Sequence, residues 1–82
     1  MIKVTSVSSD REFHLALTFS NGELRRFDMR PYMDLPAYRR LANPGFFGLA
    51  RVDYGTVVWP GEIDIAPETL YALSLPLEAV SA

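Results

Sequence analysis

Apolar and polar positions alternate most regularly from Phe13 to Phe19, where Phe13, Leu15, Leu17 and Phe19 interleave with His14, Ala16 and Thr18. A period of two predicts a half-buried strand over 13–19 with its odd positions inward. Upstream, Ile2 to Val7 is rich in β-branched residues, which predicts a strand over 2–8 with Ile2 and Val4 on one side and a turn at Ser8-Ser9-Asp10. Downstream, Asn21-Gly22 separates 13–19 from a second run over 23–29. Asn-Gly between two such runs signals a hairpin, because both residues tolerate positive φ. The second run changes parity: Leu24 is even, Phe27 and Met29 are odd. A strand with one buried face needs a one-residue slip to reconcile these, so a bulge is expected at Arg25-Arg26.

Pro31, Pro36 and Pro44 then interrupt a segment that cannot hold one long helix. Asn43 before Pro44 reads as a cap and a first helical position, opening a short turn through Phe46 and Phe47. Strands over 49–53 and 56–59 flank Tyr54-Gly55 as a second hairpin. The stretch "VVWPGEIDIAPETLY" reads as a strand-to-helix joint. Trp59 ends the strand, Pro60-Gly61 breaks it, and Pro67 opens a helix with Leu70 and Leu73 on one face. Residues 75–82 read as a terminal tail. The expected architecture is a single α+β domain over 1–82. It has about five antiparallel strands, in two hairpins plus an N-terminal strand, and two or three short helices including one starting at Pro67.

Composition narrows what such a domain can do. Its 82 residues support one core, and 49% hydrophobic with 22% charged residues is the balance of a globular chain, not a disordered one. No apolar run approaches the roughly 18 residues that span a bilayer. The start, MIKVTSVSSD, lacks the apolar region and cleavage site of a secretory signal. The absence of cysteine removes disulfides, thiolate metal sites and thiol nucleophiles. A cytoplasmic protein without membrane association is the expectation. Net charge is only −2, but it is unevenly spread: all eight basic residues lie at or before Arg51, giving +3 against five acids, and the remainder carries −5.

Few residues suggest chemistry. His14 is the lone histidine, on the opposite strand face from Phe13 and Leu15, and reads as exposed or groove-lining, since nothing supplies the nucleophile and acid of a hydrolytic triad. Glu62 and Asp64 would project from one face if extended, but two carboxylates are too few for a hard cation. Asp64 reads instead as a structural acid, accepting backbone N–H bonds at the entry to the helix, with Glu68 favoured in its first turn. Trp59 reads as a core or rim anchor rather than a stacking platform. Asn21, Gly22, Gly55, Pro60, Pro67 and Leu70 complete the structural set. Arg25, Arg26, Arg30, Arg39 and Arg40 form the one basic cluster, interleaved with Tyr32 and Tyr38. Arginine suits bidentate contacts to phosphate or carboxylate, and Tyr, Phe and Arg are enriched at interfaces.

Three stretches together resemble the bacterial family called domain of unknown function 2442: "LTFSNGELRRFDMRPYM", "LANPGFF" and "VDYGTVVWPGEIDIAPETLY". They look like its strand–turn–strand closed by Asp, its Leu-x-x-Pro-x-x-Phe segment, and its hairpin reaching Trp-Pro, Asp and Pro-x-x-Leu. Glu62 stands where the family often carries glycine. The resemblance implies the same fold over nearly the whole chain and no established activity; some members look fused to a helix-turn-helix domain, and none is expected after the domain here. With no nucleophile, metal set or cofactor loop legible, the expected function is a protein-interaction or regulatory module without catalysis or cofactor. Its partner would be another protein or a second copy of itself. The alternative is a nucleic-acid-binding or transcription-associated accessory domain using an arginine face, weak on its own because five arginines make few phosphate contacts.

Overall fold

The structure, a computed structural model, describes residues 1–77. Seven strands form two antiparallel sheets. The larger sheet is ordered β1 (Val4–Ser9), β2 (His14–Phe19), β3 (Leu24–Asp28) and β7 (Leu75–Pro76); the smaller is β4 (Arg51–Asp53), β5 (Thr56–Trp59) and β6 (Ile63–Ile65). The sheets meet where the Val4 N–H donates to the Gly55 carbonyl at 2.9 Å. Between β3 and β4 each of the three prolines sits in the first turn of a short helix, where its fixed φ is allowed. These are 3₁₀ segments at Arg30–Tyr32 and Pro36–Ala42, then α1 (Pro44–Phe47). Helix α2 spans Pro67–Leu73. The fold is α+β, mostly strand. No helix among the described residues is long and apolar enough to cross a membrane.

The odd positions of β2 are buried, as its alternation requires, and pack with Phe27, Met29, Leu41, Phe47, Val57, Trp59, Ile63, Ile65 and Leu70. Asn43 caps α1: its Oδ1 accepts from the Gly45 and Phe46 N–H groups at 2.9 and 3.3 Å. The far end of α1 is closed from another element, because the Trp59 indole N–H donates to the Phe47 carbonyl at 3.0 Å. One bond satisfies both a buried donor and a helix-terminal carbonyl.

Four details of the fold refine or correct the expectations. No bulge forms at Arg25-Arg26: β2 and β3 pair without a shift from His14–Asp28 to Thr18–Leu24. Odd positions keep the core side throughout, so Arg25 points inward and Leu24 outward, 54% exposed. An inward arginine, not the backbone, broke the parity. The irregularity lies in β1 between Val4 and Ser6, and it puts Val4 and Val7 opposite the inward residues Phe19 and Leu17. Second, the expected β2–β3 hairpin forms, and of its three connecting residues, Ser20-Asn21-Gly22, only Gly22 has positive φ (+88°). The two-residue turn with both central φ positive occurs instead at Tyr54-Gly55 (+53° and +74°). Third, the joint after Trp59 contains a strand of its own. Pro60-Gly61-Glu62 turns the chain, with φ of +87° at Gly61 and +64° at Glu62, and β6 pairs back onto β5 before α2 begins. The residue standing where the family often has glycine thus holds a left-handed conformation. Fourth, Leu70 is buried while Leu73 is 54% exposed, so α2 does not bury both. Of the expected tail over 75–82, Leu75–Pro76 pairs with β3 and residues 78–82 lie outside the described residues.

Candidate interaction surfaces

Antiparallel pairing sends alternate residues of β3 to opposite sides of the larger sheet, and this divides the arginines. Arg25, on the core side, is turned onto its own fold. Its Nε donates to Ser74 Oγ and its Nη2 to the Ser74 carbonyl, both at 2.7 Å, and its Nη1 to Glu23 Oε1 at 3.0 Å. Its guanidinium lies 4.7 Å from the centre of the Tyr71 ring, which itself packs edge-on against Phe19. Arg26, on the outer side, lies 3.1 Å from His14 Nδ1 and 3.5 Å from Asp10 Oδ2. Arg30 forms a bidentate pair with Asp28 at 3.0 and 2.9 Å, and the neighbouring Tyr32 stacks on Phe27. Arg39 and Arg40 are exposed on the second 3₁₀ segment and have no ion pair among the described residues. The five arginines therefore do not gather on one face, and three are neutralised locally.

The outer face of the larger sheet is built from what remains. Register places Ser8, Ala16, Arg26 and Leu75 in one row across its four strands, with Ser6, Thr18 and Leu24 in the next. Ala16, small at the centre, leaves the face hollow. A cavity of about 250 Å³ is lined by His14, Arg26, Asp28, Leu73 and Leu75. A neighbouring one of about 300 Å³ shares His14 and Arg26 and reaches Ser8 and Leu77. Leu73 and Leu75, which line the first, and Leu24, which lines a third hollow beside Ala16 and Thr18, are each more than half exposed. Sequence reasoning misses these leucines, because a bulge at Arg25-Arg26 would turn Leu24 inward and spacing alone puts Leu73 on the same face as Leu70. The one signal for them was the parity conflict in β3. His14 lines the first two hollows, with 13% of its side chain exposed and Nδ1 3.2 Å from Asp10 Oδ2.

The acids around this sheet are tuned by their partners. Tyr71, then Asn21 and Arg25, donate to Glu23 and hold its carboxyl below the ordinary range against a burial penalty. Arg30 does the same for Asp28, and Asp28 in turn raises Arg30. Burial alone would raise Asp10, but the His14 and Glu12 backbone N–H groups and the adjacent His14 and Arg26 side chains carry it below the usual value.

The smaller sheet presents a second surface. Its outer side carries a hollow of about 500 Å³ between the β4–β5 hairpin and the Pro60-Gly61-Glu62 turn, with Arg51, Val58 and Asp64 in its wall. Tyr38, on the second 3₁₀ segment, donates its hydroxyl to the Asp64 carbonyl at 3.2 Å. The Asp64 carboxylate does not cap α2: the N-cap residue is Ala66, no side chain bonds the first turn, and Asp64 is exposed. Glu62 sits in the turn and not on the strand, so the two acids do not form the paired face that an extended segment would have given. Among the described residues no three acids or histidines converge as a metal site. Trp59, 2% exposed, belongs to the core.

Comparison with known proteins adds the lineage. A crystal structure of a "Putative DNA Binding Protein" from Nitrosomonas europaea is similar in fold, with a TM-score of 0.78 at 22% sequence identity over 89% of this chain. The match covers 48% of that protein, so this chain spans about half its length. No curated protein matches. Residues 4–76 match the family described as "Protein of unknown function (DUF2442)", and the chain belongs to that family.

Proposed function

We propose that this domain is a non-catalytic protein-interaction module of the cytoplasm, regulatory in role, which receives its partner on the outer face of the larger sheet. The observation that carries this reading is the set of half-exposed leucines at this face: Leu73 and Leu75 line one hollow with His14 and Arg26, and Leu24 lines another with Ala16 and Thr18. An apolar patch rimmed by polar groups is the surface that protein partners bury. The polar groups at its floor, Arg26 and His14, would orient the partner. Sheet faces that bind single-stranded nucleic acid stack bases on aromatic rings, and the outward positions of β1, β2 and β3 hold Ser, Ala, Thr, His, Arg, Asp and Leu. The face thus favours protein over nucleic acid.

The second reading, a nucleic-acid accessory domain, draws on the exposed Arg39-Arg40 pair and on the fold shared with the Nitrosomonas protein. Capture from native cells with wild-type and Leu24→Arg/Leu75→Arg baits separates the two. We expect a partner retained by the wild type and lost from the variant, with both melting alike because these side chains are exposed. We also expect no duplex or single-strand binding tighter than ~1 µM at physiological salt. Sub-micromolar binding that weakens with a log–log slope of about −0.9 per phosphate contact would establish the second reading instead.

A further inference from the structure

The edge where the second 3₁₀ segment meets the smaller sheet holds unlike charges side by side that do not satisfy each other. Arg39 and Arg40 are exposed and lack an ion pair among the described residues, and so do Glu62 and Asp64. Yet Arg40 is a neighbour of the acidic turn, and Arg39 precedes it on the same 3₁₀ segment. The Arg40 guanidinium crosses the turn so closely that a Cβ at Gly61 would stand 2.5 Å from its Nη1. The Tyr38 hydroxyl bonds the Asp64 carbonyl. A hollow of about 360 Å³, lined by Ala37, Tyr38, Gly61, Glu62, Ile63 and Asp64, opens beside this contact.

We propose that this edge is a docking surface for a second copy of the chain, the two related by a two-fold axis. An isologous interface requires one surface to carry both complementary patches, so that each patch meets its opposite on the partner twice over. Here the basic pair of one copy faces the Glu62–Asp64 edge of the other, and the same contact repeats across the axis. A net charge of −2 per chain opposes this pairing only weakly. Exposed ion pairs are individually weak and screened by salt, so the dimer is a low-affinity, salt-sensitive one. It uses a surface separate from the outer face of the larger sheet, and its fate does not depend on that reading.

The mass of the purified chain at about 200 µM, measured by light scattering at roughly 20 mM and 500 mM salt, provides the test. The expected result is a dimer at low salt whose dissociation constant rises at least about tenfold at high salt. Arg39→Glu/Arg40→Glu and Glu62→Arg/Asp64→Arg are each expected to be monomeric with native circular dichroism. Mixed in equal amounts they are expected to form a one-to-one heterodimer, because both contacts are then again between unlike charges. A monomeric wild type at low salt, a dimer that survives either reversal, or a mixture that stays monomeric would each overturn the proposal.

Discussion

At φ +53° and 93% exposed, Tyr54 occupies the first central position of a two-residue turn without burying its ring. Left-handed φ strains a side chain with a Cβ, and asparagine is among the few residues that tolerate it. Tyr54→Asn is expected to stabilise the domain by about 0.5–1 kcal/mol, raising the melting temperature by about 2–8 °C in calorimetry. Phe13 has similar strain (φ +65°) but packs its ring 5.3 Å from that of Phe47, so the same relief would cost contacts there. Asp64 teaches the opposite lesson. Its spacing before Pro67 looked like that of a cap, but its carboxylate is exposed and no side chain caps α2. Asp64→Ala is therefore expected to change stability by less than about 0.5 kcal/mol, the ordinary range for surface substitutions. A loss near 1 kcal/mol in urea titration would restore the capping role.

Among the elements, α1 shows how a four-residue helix persists. Such a helix cannot stand on propensity alone. It is held at one end by the Asn43 side chain and at the other by the Trp59 indole. Asn43→Ala is expected to cost about 0.5–2 kcal/mol, the range for a lost cap. The near-ultraviolet circular dichroism of the single tryptophan should weaken with it, since the carbonyl it bonds terminates the same helix. The strands that sequence reasoning missed, β6 and β7, are three and two residues long. Neither has enough positions to display a period. They exist because β5 and β3 offered them an edge to pair with. Tyr38 and Thr56 then bond carbonyls of β6 from the side.

Acid sensitivity belongs to the whole molecule, because Asp10, Glu23 and Asp28 tie together β1, β2, β3 and α2. All three have lowered pKa values in the folded chain. A carboxylate that is more acidic folded than unfolded contributes stability above its unfolded pKa, roughly 4, and that contribution disappears as pH falls through the folded value. The melting temperature is expected to fall as pH drops below about 4. Asp28→Asn, which removes the bidentate partner of Arg30, should make that decline shallower. An equal decline in the variant would place the acid sensitivity elsewhere.

The alternation of Phe13 to Phe19, the glycine turns and the proline-led starts were enough to determine two hairpins, short helices and an α+β class. They are local properties, set by backbone sterics and by which side chains avoid water. The inward alternation named most of the β2 core, and Asn43-Pro44 named a capped helix. What the sequence could not express was the destination of individual long side chains. Arg25 counts as a surface charge in any linear reading, yet Ser74, Glu23 and Tyr71 give it hydrogen bonds and a ring to lie on. That one inward arginine moves Leu24 to the outer face, beside Leu75 of a strand that exists only by pairing. The apparent five-arginine cluster dissolved for the same reason: neighbours in sequence alternate across a sheet, and acids 2 to 16 residues away reach three of them first. Tertiary pairing alone decided which charges remain unpaired and which leucines face outward, because both depend on partners distant in the chain.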